Sequence, residues 1–123
     1  MAGVKTAGGR LTTHVLDTAT GKPAAGLAIS LYKVSGESRQ KLKTVTTNED
    51  GRCEAPLLQG ADFQIGQYEL VFSAGDYFRA LGLALPDPMF IDEVPIRFGM
   101  AEEKHYHVPL LISPYGYSTY RGS

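Results

Sequence analysis

Hydrophobic and polar positions alternate with period two along much of the chain. Leu27, Ile29, Leu31 and Lys33 share one side of the run from Leu27 to Val34. Leu42, Thr44 and Thr46 alternate with Lys43, Val45 and Thr47. Successive side chains of a strand point to opposite faces, so this pattern predicts half-buried strands over 27–34 and 41–47. Other β-branched and aromatic runs predict strands over 11–18, 67–73, 94–98, 105–112 and 115–121, and extended chain over 52–56. Gly21-Lys22-Pro23, residues 35–38 and Asn48-Glu49-Asp50-Gly51 separate them as turns, where Gly tolerates positive φ and Pro fixes its own. Residues 76–83 predict one short helix with Asp76 as its N-cap.

Many strands with a single helix leave no βαβ alternation and indicate an all-β sandwich or barrel. The chain has 123 residues, the size of one domain able to build a core without disulfides. Residues 1–9 are small and Gly-rich and are expected to form a flexible tail, leaving residues 10–123 as the domain.

Composition narrows the function classes. Hydrophobic residues make up 43% and charged residues 20%, the balance of a folded globular chain. A net charge of −1 supplies no field toward nucleic acid or an anionic membrane. No run approaches the ~20 apolar residues of a membrane span, and the first residues lack the apolar stretch of a signal peptide. The single Cys53 fits a reducing compartment. A cytoplasmic location is expected, with indirect import into peroxisomes left open for a eukaryotic source.

The candidate chemistry rests on three histidines, His14, His105 and His107. His105 and His107 are two apart in a strand and share a face, while Tyr106, Val108 and Leu110 take the core side. His14 shares its face with Thr12 and Leu16. Three readings stay open on these residues alone. The histidines are partner-facing surface groups, or they form an open metal site, or they perform acid–base work near neutral pH. Arg52, just after the Asp50-Gly51 turn, would suit an anionic substrate or a developing oxyanion. Asn48-Glu49-Asp50 begins no calcium-loop ligand series, and no nucleotide-binding or serine-nucleophile motif occurs.

Three segments resemble one known family. Leu11-Thr-Thr-His-Val-Leu-Asp-Thr-Ala-Thr-Gly-Lys-Pro-Ala24 is similar to the N-terminal signature of the 5-hydroxyisourate hydrolases. Thr47-Asn-Glu-Asp-Gly-Arg52 resembles their central motif. His105-Tyr-His-Val-Pro-Leu-Leu111, with Ser113-Pro-Tyr-Gly-Tyr-Ser-Thr-Tyr-Arg-Gly-Ser123, resembles their C-terminal signature. The similarity runs from Leu11 to Ser123.

The resemblance implies a transthyretin-like (prealbumin-like) sandwich of two four-stranded sheets with one short helix. It implies hydrolysis of 5-hydroxyisourate to 2-oxo-4-hydroxy-4-carboxy-5-ureidoimidazoline in urate breakdown, with no cofactor and no metal. His14, Arg52 and His107 fall on the family's catalytic positions, and Tyr120, Arg121, Gly122 and Ser123 on residues lining the site. His105 is a neighbour of that site. The resemblance also implies a homotetramer, a dimer of dimers with sites at the dimer–dimer interface. The alternative carried beside it is a transthyretin-like carrier that binds a small ligand without catalysis.

Overall fold

The computed structural model describes residues 8–123, and two sheets enclose one core. The first sheet is built on β1 (Arg10–Asp17), which pairs in parallel with β8 (His105–Ser113). The short β2 (Lys22–Pro23) and β5 (Leu58–Gln59) flank opposite ends of β1, and β9 (Gly116–Thr119) pairs with β8. The second sheet runs in the order β4 (Ser38–Thr46), β3 (Ala28–Ser35), β6 (Gly66–Ser73), β7 (Glu93–Met100), antiparallel throughout. The expected four-plus-four sandwich is observed, with the two-residue β5 added to the first sheet.

The period-two pattern sorts the faces. Leu11, Thr13, Val15 and Asp17 of β1 point inward, as do Tyr106, Val108, Leu110 and Ile112 of β8. They meet Ile29, Leu31, Leu70, Phe72 and Val94 from the second sheet. Interdigitated inner faces of this kind form the core of a sandwich.

Several expectations shift. Strand β4 is an edge strand, exposed along nearly its whole length, with Leu42 39% exposed. A register shift beside Leu31 and Tyr32 breaks the alternation the sequence suggested there. The helix, α1, spans Ala74–Ala80, two residues earlier than Asp76, because the chain turns directly out of β6. Gly75 donates to the Asp92 carbonyl at 2.8 Å, and Asp92 packs so closely on Gly75 that no Cβ fits. Asp76 is therefore no cap; it sits in the first turn and pairs with Arg79 at 2.6 Å. Gly82, at φ +76°, ends the helix as a left-handed residue that any other side chain would strain. Residues 52–56 form no strand, only a bridge from Arg52 to His14. Of the expected tail, residues 1–7 lie outside the described residues, while Gly9 is buried against Phe63 and the Lys104 carbonyl.

Among the described residues, no helix is long and apolar enough to cross a membrane.

Candidate active site

The β1–β8 register assembles the histidines. Arg10 lies opposite His105, and Thr12 opposite His107. Adjacent side chains of a parallel pair share a face, so Thr12, His14, His105 and His107 stand together on the outer face of the first sheet. The rings of His14 and His107 are 6.3 Å apart between centroids and inclined by only 23°. His105 lies 6.2 Å from His107.

Arg52 reaches this face because its turn is pinned from two sides. The Asn48 side-chain oxygen accepts from the backbone N–H groups of Asp50 and Arg52 at 2.9 and 3.1 Å. Such a turn is the usual role of Asn in a tight reversal. The Gly51 carbonyl then accepts from Val15 N–H at 2.9 Å, and Arg52 bridges to His14. Gly51 has φ +73°, and a Cβ there would collide with the Val15 carbonyl. Thr12, Arg52, Cys53 and Glu54 line a shallow pocket of about 140 Å³ beside the histidines.

Partial burial lowers all three histidine pKa values from the usual 6.5, because burial penalises the charged ring. The Arg52 guanidinium lowers His14 and His107 further. His14 and His105 also lower His107, and Arg10 lowers His105. Values held below 6.5 favour the neutral ring at pH 7, in which one nitrogen carries a lone pair that can accept a proton or a hydrogen bond. Among the described residues, no three His, Cys, Asp or Glu side chains are arranged to hold a metal ion.

The C-terminal tetrapeptide divides between two places. Gly122 N–H donates to the His107 carbonyl at 2.8 Å, and its Cα rests on the His107 ring. Arg121 points elsewhere, its guanidinium 4.3 Å above the Tyr106 ring on the inner side of β8. Tyr120 and Arg121 line a separate cavity of about 370 Å³ with Arg97, Phe98 and Tyr106 of β7 and β8. Tyr120 and Ser123 are exposed. Within one chain, His14, Arg52, His105, His107 and Gly122 come together; Tyr120 and Arg121 do not join them.

Sequence reading passed over Thr12. Its hydroxyl lies 2.7 Å from His105 Nε2 and 2.8 Å from His107 Nδ1. The signal was present: Thr12 precedes His14 by two and shares its face.

Comparison with known proteins places these features in a family. A family model described as "HIUase/Transthyretin family" matches residues 11–122. A protein of Mesorhizobium japonicum named 5-hydroxyisourate hydrolase is 73% identical, over 97% of this chain and 96% of its own length. A solved structure of 5-hydroxyisourate hydrolase from Klebsiella pneumoniae superposes with a TM-score of 0.77 at 36% identity, covering 94% of each chain. A crystal structure of (S)-allantoin synthase superposes with a TM-score of 0.89 at 46% identity, over 95% of this chain but 44% of that one. With the match spanning the whole sandwich from Leu11 to Gly122, the chain belongs to the HIUase/Transthyretin family.

Proposed function

We propose that this chain is a hydrolase that opens 5-hydroxyisourate to 2-oxo-4-hydroxy-4-carboxy-5-ureidoimidazoline. The observation that carries the reading is the neutral His14–His107 pair beside Arg52. It occurs in a chain 73% identical to a named 5-hydroxyisourate hydrolase. Relatives named as hydrolases do not favour the alternative of a carrier without chemistry.

The reaction needs a water deprotonated, a carbonyl oxygen stabilised as charge develops, and a ring nitrogen protonated as it leaves. His107 takes the proton from water as the new C–O bond forms. Arg52 faces the oxyanion. His14 hydrogen-bonds the leaving nitrogen, which receives the proton as the C–N bond breaks and the histidine pair returns to neutrality. A positioned general base contributes roughly 10²–10⁴-fold, and a single oxyanion donor about 10²–10³ in kcat. The substrate is an activated cyclic amide, so these two effects suffice without a cofactor.

The same reading includes a homotetramer, a dimer of dimers, in which Tyr120, Arg121, Gly122 and Ser123 line the site at the dimer–dimer interface. It is supported by the exposure of Tyr115, Tyr117 and Tyr120 along the chain end, costly apolar surface to leave in water. Sedimentation is expected to give four times the chain mass of 13.3 kDa; a monomer would overturn it. A cytoplasmic location fits the free thiol of Cys53, and cell fractionation checks it.

The function itself is tested by generating 5-hydroxyisourate from urate in the cuvette and following its absorbance decay. Decay faster with the protein than without it supports the reading; decay at the spontaneous rate overturns it.

A further inference from the structure

We propose that Thr12 is a positioning residue that joins His105 to His107 in one hydrogen-bonded chain and fixes which nitrogen of His107 meets the water. The proposal rests on the hydrolase reading and gives His105 a role in it.

The geometry carries the argument. Thr12 Oγ1 is within 2.8 Å of a ring nitrogen on each of two histidines. A hydroxyl owns one proton, so it cannot donate to both rings at once. At least one imidazole must donate to Thr12. Strand register holds the arrangement, since Thr12 lies opposite His107 and two residues along from Arg10, the partner of His105. A β-branched side chain has restricted χ1 freedom, so the hydroxyl stays aimed between the rings.

A base at His107 Nε2 requires that its proton sit on Nδ1. Thr12 then accepts from His107 Nδ1–H and donates its own proton to His105 Nε2. His105 in turn carries its proton on Nδ1. When His107 Nε2 takes a proton from water, the ring is briefly an imidazolium. His107 passes its Nδ1 proton to Thr12 oxygen as the Thr12 proton moves to His105 Nε2. One proton has entered, one positive charge now resides on His105, and no group is oxidised or reduced; when His107 Nε2 gives its proton up to the leaving nitrogen, the two shifts reverse and both rings are neutral again. The charged and titratable groups facing these rings are Arg52 and His14 around His107 and Arg10 beside His105. Moving the charge to His105 takes it away from Arg52 and His14 and brings it beside Arg10, which opposes it there, so the relay spreads the charge rather than trapping it on either ring.

The test uses the full chain with Thr12→Val, Thr12→Ser and His105→Gln. Long-range ¹⁵N–¹H spectra of the histidine rings, recorded without substrate, read the tautomer directly. In the wild type His107 is expected as the Nδ1–H tautomer. In Thr12→Val it reverts to Nε2–H, the form an isolated neutral imidazole favours, and Thr12→Ser restores Nδ1–H. In the absorbance assay, Thr12→Val lowers kcat by at least about tenfold, part of what a positioned base supplies. KM is expected to change far less than kcat, since the Thr12 hydroxyl is engaged by the two rings. The acid limb of the kcat/KM profile moves to lower pH, because the His107 cation loses an acceptor. His105→Gln keeps a hydrogen-bonding group for Thr12 but lowers kcat, since an amide takes up no proton.

An identical His107 tautomer in wild type and Thr12→Val overturns the proposal, as does full kcat in Thr12→Val. Because the spectra need no turnover, they decide the role of Thr12 even if the wild-type protein fails to hydrolyse 5-hydroxyisourate.

Discussion

Gly122 lies flat against the ring of His107: a Cβ on Gly122 would stand 2.6 Å from His107 Cδ2 and 3.2 Å from Cγ. The same glycine donates its N–H to the His107 carbonyl. One residue therefore braces both the backbone and the imidazole of the proposed base. Gly122→Ala must turn the ring or lift the C-terminal segment. A misplacement of about 1 Å at a reacting group costs on the order of 10²-fold. The expected result is a loss of roughly that size in kcat with the melting temperature nearly unchanged. Unaltered kcat in Gly122→Ala would show that the contact does not set the ring.

Arg52 stands beside both His14 and His107 and lowers both. Arg52→Gln removes the charge and keeps a hydrogen-bonding side chain. Both histidines should then titrate at higher pH, read by proton NMR of the ring carbons. The rate should fall by about 10²–10³ in kcat, the size of a lost oxyanion donor. Unmoved titration of both rings would mean that Arg52 is directed away from them.

The pH dependence follows from the same lowered values. An imidazole base works while neutral, so kcat/KM should hold level below pH 6.5 and fall only through the depressed His107 pKa. Stability carries a matching sign. Between the folded pKa values and the usual 6.5, the unfolded chain binds more protons than the folded one. Folding stability therefore rises with pH across that window and is lost as pH falls from 6.5 through the folded values. Urea melts at a series of pH values check this; stability that increased on acidification across the window would contradict it.

The sandwich was legible in the chain because strand periodicity is local. Tyr106, Val108 and Leu110 went to the core side and His105 and His107 to the other, as two-residue alternation requires. Parallel pairing of β1 with β8 was not legible, because register between segments some ninety residues apart leaves no local mark. For Thr12 only half of the signal was local: its place on the His14 face was legible, but its hydroxyl matters only once β8 lies beside it. Asp17 was missed too. It is 1% exposed at the end of β1, accepts from Ala19 and Thr20 N–H, and is held by the Tyr77 hydroxyl at 2.8 Å. Burial, with that contact to Asp17 adding to it, pushes the Tyr77 hydroxyl pKa up to about 12. An acidic residue on a core face reads as exposed until the helix that partners it is placed. Arg121 is a residue whose place in a terminal signature points to the site, while within one chain its guanidinium lies over the Tyr106 ring, on the other side of the sheet.

The central claim is that His107, held neutral beside Arg52, deprotonates the attacking water. The most direct measurement is the absorbance decay of freshly generated 5-hydroxyisourate with wild type, with His107→Ala, and with no protein. The account predicts rapid decay with wild type and a loss of roughly 10²–10⁴-fold in kcat for His107→Ala, with the variant still folded and assembled as the wild type is. A His107→Ala variant that turns over substrate at the wild-type rate would contradict it and move the base to another group on this face.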